Sequence, residues 1–353
     1  MLHFRDGLRD MPSYDLTERD WKIKVNANES PFNLPPLVEE RVMARLSGVA
    51  FHRYPTEEGE ALREAIGRNC GLNRENVWLG NGSSEIIEKL FYAFGGVGHT
   101  IVYPEPSFSM YKIYLRAAGA EGVSVELFED YRLDVKSFIR KVNDSRAALA
   151  VLCNPNNPTG GYLSLSEVEE IAREVSCAFL IDEAYIEFAG PSASQLLSRY
   201  PHLMVARTFS KAYGLAACRV GYLLAAKEVV DMVQKAYMPY HLNVLSTVTA
   251  DIVFQMRQEY EPRLHMVMAE RQRMFDRLSE IEGLTVFPSA TNFLLLRTEK
   301  AASLEAALAA AGIGVRSFGG AARLKNCLRV SLGTREENDT VWQAIQAFMT
   351  RGE

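Results

Sequence analysis

The stretch AFLIDEAY, residues 178–185, gives the first indication of the fold. Its apolar residues run directly into two adjacent carboxylates, Asp182 and Glu183, so the segment predicts a buried strand that ends at these acids. Taken alone, such a strand could bind Mg²⁺ in the manner of a Walker B strand. The chain contains no Gly-Lys dipeptide, so the phosphate-binding Walker A loop is absent and a nucleotide site is not favoured.

Similar short apolar runs alternate with amphipathic stretches on both sides of this segment, from residue 76 to about residue 224. The alternation is typical of an α/β domain whose mostly parallel sheet is flanked by helices. It predicts seven strands, at residues 77–79, 100–103, 121–125, 147–152, 178–181, 203–208 and 221–225. In such sheets, binding sites collect beyond the carboxyl ends of the strands.

The pattern changes at about residue 245, where long helices begin, including a charged stretch over residues 260–281. Short strands follow, and the chain ends in a helix predicted over residues 336–349. The predicted strands lie near residues 285–286, 293–296, 315–316 and 328–331. We therefore expect a large domain over residues 31–244, a smaller α+β domain over residues 245–353, and an N-terminal arm, residues 1–30, packed on the small domain.

Composition and charge exclude several classes of protein. A chain of 353 residues suits one large and one smaller domain, and 48% hydrophobic with 24% charged residues is typical of a globular protein. A net charge of -5 argues against a nucleic-acid partner. No apolar stretch approaches the ~20 residues that span a bilayer, and charges interrupt the N-terminus where a signal peptide is apolar. We expect a cytoplasmic protein with no membrane partner.

Cysteine and histidine spacing indicates neither disulfides nor metal. The chain has five well-separated cysteines without a C-x-x-C pair, which predicts free thiols. Its six histidines show no close ligand spacing. We therefore expect no metal site.

A second segment, TFSKAYG at residues 208–214, places a lysine among hydroxyl groups, and Arg219 follows eight residues after Lys211. An isolated loop lysine is usually only solvated. Here Thr208, Ser210 and Arg219 could bind a phosphate beside an amine that is able to form a Schiff base. A pyridoxal phosphate site requires this pairing.

Two further turns suit the same site. GNGSSE, residues 80–85, follows a predicted strand and opens a helix, so Ser83, Ser84 and the free backbone N–H groups could bind an anion, although a glycine turn with a serine cap has the same pattern. NPNNPTG, residues 154–160, follows another strand and could be only a rigid turn. At the carboxyl edge of a sheet, its Asn157 could donate to a cofactor oxygen.

These four segments together resemble the fold-type-I family of pyridoxal-phosphate-dependent aminotransferases, and the resemblance runs over nearly the whole chain. Within that family, further stretches are most similar to the histidinol-phosphate aminotransferases. They are VNANESP at residues 25–31, RYP at 53–55, PSFSMY at 106–111, DEAYIEF at 182–188 and CLRVSLGTREE at 327–337.

The resemblance implies a role for each matching residue around the cofactor. Lys211 is implied as the Schiff-base lysine and as the shuttle that moves a proton between Cα and C4′. Asp182 would lie against the pyridine nitrogen and keep it protonated. Asn157 and Tyr185 would hydrogen-bond the phenolic oxygen of the ring, and Phe108 would stack on the ring face.

The resemblance also implies the phosphate, subunit and substrate contacts. The phosphate would lie among Ser83, Ser84, Thr208, Ser210 and Arg219, and Tyr54 would reach it from a neighbouring subunit, which implies a homodimer with shared active sites. Arg329 would bind the α-carboxylate of an amino acid, a bidentate task that lysine does not replace. Further substrate contacts are implied for Arg316, Tyr14 and Asn28; for Arg316, a surface-strand charge is an open alternative.

The implied reaction passes an amino group from glutamate to imidazole-acetol phosphate, or in reverse from histidinol phosphate to 2-oxoglutarate, in histidine biosynthesis. Ping-pong kinetics between the amino donor and the 2-oxo acid acceptor follow. An aromatic-amino-acid aminotransferase remains an alternative. A threonine-phosphate decarboxylase is another, although that relative usually has Phe-Ser-x-Asn-x-Asn-Pro where this chain has VNANESP. A cofactor-binding regulator without turnover is a fourth interpretation, but no helix-turn-helix extension is present.

Overall fold

The computed structural model describes residues 19–55, 58–319 and 321–350. The helices, numbered in chain order, are α1 Pro36–Leu46, α2 Glu58–Asn69, α3 Gly82–Phe94, α4 Met110–Ala118, α5 Val135–Asp144, α6 Leu165–Glu174, α7 Lys227–Val233, α8 Val244–Gln255, α9 Glu261–Ser279, α10 Ala301–Ala310 and α11 Arg335–Thr350. The strands are β1 Ile23–Lys24, β2 Val77–Gly80, β3 Thr100–Glu105, β4 Glu121–Glu126, β5 Leu149–Cys153, β6 Ala178–Asp182, β7 Leu203–Thr208, β8 Gly221–Ala225, β9 Thr285–Phe287, β10 Phe293–Arg297, β11 Ile313–Gly314, β12 Arg316–Ser317 and β13 Cys327–Ser331.

The large sheet has seven strands in the order β2-β8-β7-β6-β5-β3-β4. The strands from β7 to β4 pair in parallel, whereas β8 runs antiparallel to both β2 and β7. Each of the seven strands predicted for this domain is present, with bounds that differ by two residues or fewer. The predicted α/β class with a mostly parallel sheet is confirmed.

The centre of this sheet explains why its strands are continuous apolar runs. β5 and β8 are buried along their whole length, and β6 is buried from Phe179 onward, because helices cover both faces. The helices begin at recognisable caps. At the start of α6, the Ser164 hydroxyl accepts from the Glu167 N–H, and the Glu167 carboxylate accepts from the Ser164 N–H at 2.8 Å.

The small sheet is antiparallel, in the order β12-β13-β10-β9, and α9 packs on β9 and β10. The strands predicted near residues 285, 293 and 328 correspond to β9, β10 and β13. The strand predicted at residues 315–316 corresponds to β12, displaced by one residue, whereas β11 was not predicted. These two short strands flank Val315 and pair with different strands, so the chain changes sheets at this residue.

The N-terminal segment adds a strand that the sequence did not predict. β1 pairs in parallel with β11, and the Ser331 N–H donates to the carbonyl of Val25 at 2.9 Å. Residues 23–25 are therefore hydrogen-bonded to the small-domain strands. Residues 1–18 lie outside the described residues.

The packing of helix α8 indicates where the domain boundary lies. It begins at Val244 but packs against α1 and α2, which lie beside the large sheet. We therefore propose that the boundary falls after α8, near residue 256, rather than after residue 244. Within the described parts of the chain, no helix combines the length and apolar character needed to cross a membrane.

Candidate active site

A cavity of about 200 Å³ lies beyond the carboxyl ends of the central strands β5, β6 and β7. Small-domain strands β12 and β13 and residues 26–28 close its other side. Every predicted site residue lines this cavity except two. Tyr54 lies on the surface, and Tyr14 lies outside the described residues.

Lys211 follows β7 and extends its amine into the cavity. The Nζ atom donates to the carbonyl of Ala27 at 2.9 Å. Burial lowers the pKa of Lys211 from 10.5 to about 8, and the positive charges of Arg329 and Arg219 act in the same direction while Glu29 opposes them. A substantial fraction of this amine is therefore neutral near pH 8, which is the form that acts as a nucleophile or base.

Asp182 ends β6 and is buried. Its Oδ2 accepts from the Tyr111 hydroxyl at 3.0 Å, and its Oδ1 accepts from the Ala184 N–H at 3.3 Å. Burial raises the pKa of Asp182 to about 6, although these two hydrogen bonds partly oppose the rise. Among the residues that the structure describes, no cationic side chain lies within ion-pair distance of this carboxylate.

An anion-binding element forms around Arg219. Its Nη1 donates to the Ser210 hydroxyl at 3.3 Å, and the Ser210 N–H donates to the Thr208 hydroxyl at 3.1 Å. The other guanidinium nitrogen lies against Gly82, where a Cβ atom would come within 2.7 Å of it. Gly82 also has a φ of 76°, so both its conformation and its surroundings favour glycine.

The first turn of α3 completes this element. Ser83 and Ser84 line the cavity at the start of the helix, where backbone N–H groups lack intrahelical acceptors. Gly221 of β8 lies directly beneath, since a Cβ atom there would come within 2.4 Å of the Ser83 nitrogen. The helix start is thus held close to the sheet, with its positive dipole end toward the cavity.

Asn157 and Arg329 meet across the two domains. The Nη1 of Arg329 donates to the Asn157 side-chain carbonyl at 2.6 Å, and Nη2 donates to the carbonyl of Asn26 at 2.8 Å. Arg316 lines the same side of the cavity, because its strand pairs with β13 so that Arg316 lies opposite Arg329. Two guanidinium groups therefore face the cavity from the small domain.

The loop that carries Asn157 is held rigidly. Asn156 donates to the Pro106 carbonyl at 3.0 Å and to the Thr159 hydroxyl at 2.8 Å, and it accepts from Ser107 at 2.7 Å. Phe108, which follows on the same side, packs edge-on against Tyr111 with ring centroids 5.5 Å apart. These contacts fix the positions of Phe108 and of the Asn157 loop.

Tyr185 is fixed by residues from two other parts of the chain. Its hydroxyl accepts from the Asn28 Nδ2 at 2.9 Å, and Asn28 in turn is bonded to Ser331 of β13. The Tyr185 ring packs edge-on against Phe293, with centroids 5.3 Å apart. Burial raises the pKa of Tyr185 above its ordinary range, so this phenol stays protonated.

Tyr54 is 74% exposed and stacks on Tyr240, with ring centroids 4.6 Å apart. It does not reach the cavity of its own chain. The sequence resemblance implies that Tyr54 contacts the cavity of a neighbouring subunit, and that role stays a prediction.

Several contributors to the site were missed from sequence. Tyr111 supports Asp182, Ser331 supports Asn28, Cys153 lines the cavity, and the Ala27 carbonyl accepts from Lys211. Tyr111 and Ser331 lie within PSFSMY and CLRVSLGTREE, so their segments were noticed but their roles were not. The roles of Tyr111, Ser331 and Ala27 depend on contacts between residues far apart in sequence, for which no local motif exists.

The arrangement offers three kinds of chemistry in one cavity. It has an anion site at the start of α3, a buried carboxylate at the end of β6, and a partly neutral amine after β7. Among the described residues, no group of three or more His, Cys, Asp or Glu side chains could bind a metal ion.

Comparison with known proteins places the chain in a family. A histidinol-phosphate aminotransferase of Thermoanaerobacter pseudethanolicus is 36% identical over 345 residues, which cover 98% of each chain. Another, of Caldanaerobacter subterraneus, is 35% identical over 346 residues, again 98% of each chain. The crystal structure of a histidinol-phosphate aminotransferase from Sinorhizobium meliloti in complex with pyridoxal-5'-phosphate is similar, with a TM-score of 0.85 and 26% identity, covering 94% of this chain and 91% of that one.

The sequence itself matches the family Aminotransferase class I and II over residues 20–345, almost its whole length. That match spans both the large sheet with the cavity and the small sheet that closes it. The chain therefore belongs to the class I and II aminotransferases.

Proposed function

We propose that the chain is a pyridoxal-phosphate-dependent aminotransferase that exchanges an amino group between histidinol phosphate and 2-oxoglutarate. The observation that carries this proposal is that Lys211, Asp182 and the anion site around Arg219 line one cavity. The relatives that are 35% and 36% identical over nearly the whole chain bear the name of this activity.

The residues present fit the cofactor. Asp182 is a buried carboxylate facing the cavity, and a protonated pyridine nitrogen is the kind of cation that would stabilise its charge. The start of α3, with Ser210 and Arg219, suits a phosphate. Lys211 supplies an amine of lowered pKa for the aldehyde. The three elements match the three polar parts of pyridoxal phosphate.

Each side chain then has a task in the transfer. Bound here, pyridoxal phosphate would supply an electron sink for the carbanion at the substrate Cα. Asp182 would hold the proton of the ring nitrogen, while Asn157 and Tyr185 would donate to the phenolic oxygen of the ring. Lys211 is the base placed to move the proton at the substrate Cα, since its partly neutral amine extends into the cavity.

The small domain supplies the substrate contacts. Arg329 lies beside Asn157 and faces the cavity, which suits the α-carboxylate of glutamate. Histidinol phosphate has a phosphate and no carboxylate, and Arg316, opposite Arg329 in the sheet, is the second guanidinium available for it. Tyr14, the other predicted substrate contact, lies outside the described residues.

We also propose that the working unit is a homodimer. Phe51, Tyr54, Met238 and Tyr240 are all exposed, and we call these four residues the apolar surface. Tyr54 and Tyr240 stack on one another, and Met238 and Tyr240 line the same surface cleft. A second copy of the chain would cover this surface, and Tyr54 would then contact the cofactor phosphate of the partner.

The proposed function is tested by a half-reaction screen. The protein is reconstituted with pyridoxal phosphate and mixed singly with histidinol phosphate, phenylalanine, tyrosine or glutamate, and the loss of the visible absorbance of the bound cofactor is followed. Histidinol phosphate and glutamate should react fastest, and borohydride should label Lys211. The Lys211→Ala variant is the control and should show no reaction. A wide preference for phenylalanine would contradict the substrate, and carbon dioxide release from threonine phosphate would indicate a lyase.

A further inference from the structure

Asn28 joins three parts of the molecule at the edge of the cavity. Its side chain contacts Tyr185 after β6 and Ser331 in β13, and its own carbonyl accepts from Asn292 at 3.1 Å. The residue is only 1% exposed, and its φ of 53° is a left-handed conformation that asparagine tolerates better than most residues. Asn28 is therefore held from several directions, although it lies outside any helix or strand.

The hydrogen bonds around Asn28 determine which way its amide faces. The Ser331 hydroxyl accepts from the Asn28 backbone N–H at 2.9 Å and donates its own proton to the Asn28 Oδ1 at 2.9 Å. The remaining side-chain atom, Nδ2, lies 2.9 Å from the Tyr185 hydroxyl. An amide nitrogen only donates, so the Tyr185 oxygen must accept this bond.

This direction has a consequence for the phenol of Tyr185. A tyrosine hydroxyl has one proton to donate. Because the Asn28 amide already donates to the Tyr185 oxygen, the Tyr185 proton must point away from Asn28. Tyr185 lines the cavity, so the proton is available to an acceptor there. An isosteric carboxylate at position 28 would reverse this arrangement, since it would accept the phenol proton and turn it away from the cavity.

We infer that Asn28, oriented by Ser331, is a positioning residue that directs the hydroxyl proton of Tyr185 into the cavity, toward the phenolic oxygen of the cofactor ring. This inference rests on the proposed function, because it requires a cofactor with an acceptor oxygen at that place. The substrate contact predicted for Asn28 stays a prediction, because Asn28 also lines the cavity and its Nδ2 carries a second proton besides the one donated to Tyr185.

The first test is a mutant cycle of Asn28→Ala, Tyr185→Phe and the double variant. The measurement is the pH midpoint of the visible absorbance change of the reconstituted protein, which reports proton loss at the lysine–cofactor linkage. Donation by Tyr185 stabilises the anionic form of the ring oxygen, and this weakens proton binding at the lysine–cofactor linkage. Tyr185→Phe should raise the midpoint by about one to two pH units. Asn28→Ala should give a smaller rise, and it should add no further rise to Tyr185→Phe.

Two more variants separate orientation from packing. Asn28→Asp keeps the size and the left-handed turn but accepts the phenol proton, so its midpoint should exceed that of Asn28→Ala in the Tyr185 background. Ser331→Ala removes the hydrogen bond that orients the Asn28 amide and leaves Tyr185 unchanged. Its midpoint should lie between those of the unmodified protein and of Asn28→Ala. Asn338→Ala is the matched control, because Asn338 is also 1% exposed and hydrogen-bonded in the small domain. It should lower the melting temperature and leave the midpoint unchanged.

The outcomes distinguish this inference from the proposed function. If the unmodified chain shows no visible band and borohydride labels no lysine, the proposed function fails and this inference falls with it. If the band is present but Asn28→Ala leaves the midpoint unchanged, or shifts it equally with Tyr185 or Phe at position 185, only the role of Asn28 is overturned. A midpoint that moves with Asn28 solely in the presence of the Tyr185 hydroxyl supports it.

Discussion

Asp182 and Lys211 are both buried in an environment that disfavours their charged forms. The pKa of Asp182 is raised from 3.8 to about 6, so its contribution to stability is fully present below pH 3.8 and is lost as the pH rises through about 6. The pKa of Lys211 is lowered from 10.5 to about 8, so its contribution is present above pH 10.5 and is lost as the pH falls through about 8. Between about pH 6 and 8, both groups destabilise the cofactor-free chain.

We predict that Asp182→Asn stabilises the cofactor-free chain while it abolishes most activity. At pH 8, the gain in the free energy of unfolding should be at most about 3 kcal/mol, and it should vanish below about pH 4. Thermal unfolding at a series of pH values measures it. The amino-transfer rate of the loaded protein should fall at least about 100-fold. A gain that does not depend on pH would show that the carboxylate charge is not its cause.

Arg316→Ala should weaken substrates that carry a phosphate selectively. The loss of a charge-assisted hydrogen bond predicts a fall of about 10-fold to 100-fold in kcat/KM for histidinol phosphate. The values for phenylalanine and glutamate should change little, because Arg329 remains for their carboxylates. Steady-state kinetics with the three substrates test this prediction. Equal losses for all of them would refute a phosphate-specific role.

At the residue scale, the sequence predicted side chains within local motifs and missed those that act through distant contacts. Lys211 and Arg219 belong to one short segment whose hydroxyls and charges already suggest a phosphate site. Tyr111 and Asp182 are 71 positions apart, and their hydrogen bond arises only because the fold brings the start of α4 next to the end of β6. No pattern in the chain reports such a pairing in advance.

At the scale of elements, the start of α3 shows how the backbone builds an anion site. Gly82 and Gly221 lack side chains at the two places where the helix, the Arg219 guanidinium and β8 approach one another most closely. A Cβ atom at Gly82 would displace the guanidinium, which is the flexible partner, rather than the backbone. The site should therefore survive in a weakened form when this glycine is replaced.

We predict that Gly82→Ala lowers the affinity for pyridoxal phosphate by about 10-fold to 100-fold, because Arg219 must move. Titration of the cofactor-free chain with pyridoxal phosphate measures this effect. Gly71→Ala is the matched control, since Gly71 has a similar φ of 67° but a Cβ atom there would meet no other atom within 4 Å. Both variants should lose some stability. If they lose cofactor affinity equally, the contact with Arg219 is not the cause.

Strands were predicted correctly where their own local sequence identifies them. Most large-domain strands are apolar runs that end in turn residues, and β7 and β8 are found at their predicted bounds. By contrast, β1 has only two residues, and it is a strand because it pairs with β11, which lies 290 positions away in the chain. The exchange of sheets at Val315 was missed for the same reason, since it depends on the two partners and not on local composition.

At the scale of the whole molecule, the proposed dimer predicts subunit complementation. Tyr54→Ala and Lys211→Ala should each be nearly inactive alone. In a mixed dimer, one of the two sites would combine an intact Lys211 from one subunit with an intact Tyr54 from the other. Since about half of the co-refolded dimers are mixed, the mixture should recover about a quarter of the normal activity. Activity assays of the mixture, with each variant alone as the control, measure this recovery. No recovery despite mixed dimers would contradict a shared site.

A charge on the apolar surface should separate the subunits. We predict that Met238→Glu shifts the protein toward the monomer, because it places a carboxylate on a surface that the partner covers. Sedimentation velocity measures the shift. Val97→Glu is the control, since Val97 is also highly exposed but lies before β3, at the end of the strand opposite the cavity. A dimer unaffected by Met238→Glu would require a different interface.

The pairing of β1 with β11 has a mechanical consequence for the amine of Lys211. The Val25 N–H and carbonyl are hydrogen-bonded to Gly314 and Ser331, so the segment before Asn28 is attached to the small domain. The carbonyl of Ala27, two residues on, is the acceptor of the Lys211 ammonium. A displacement of the small sheet away from the large one would also carry off Arg329 and expose the amine to solvent. Because burial and the Arg329 charge are the main causes of the lowered pKa of Lys211, the charged amine would then be favoured. The separation between the two sheets and the basicity of one side chain are thereby coupled.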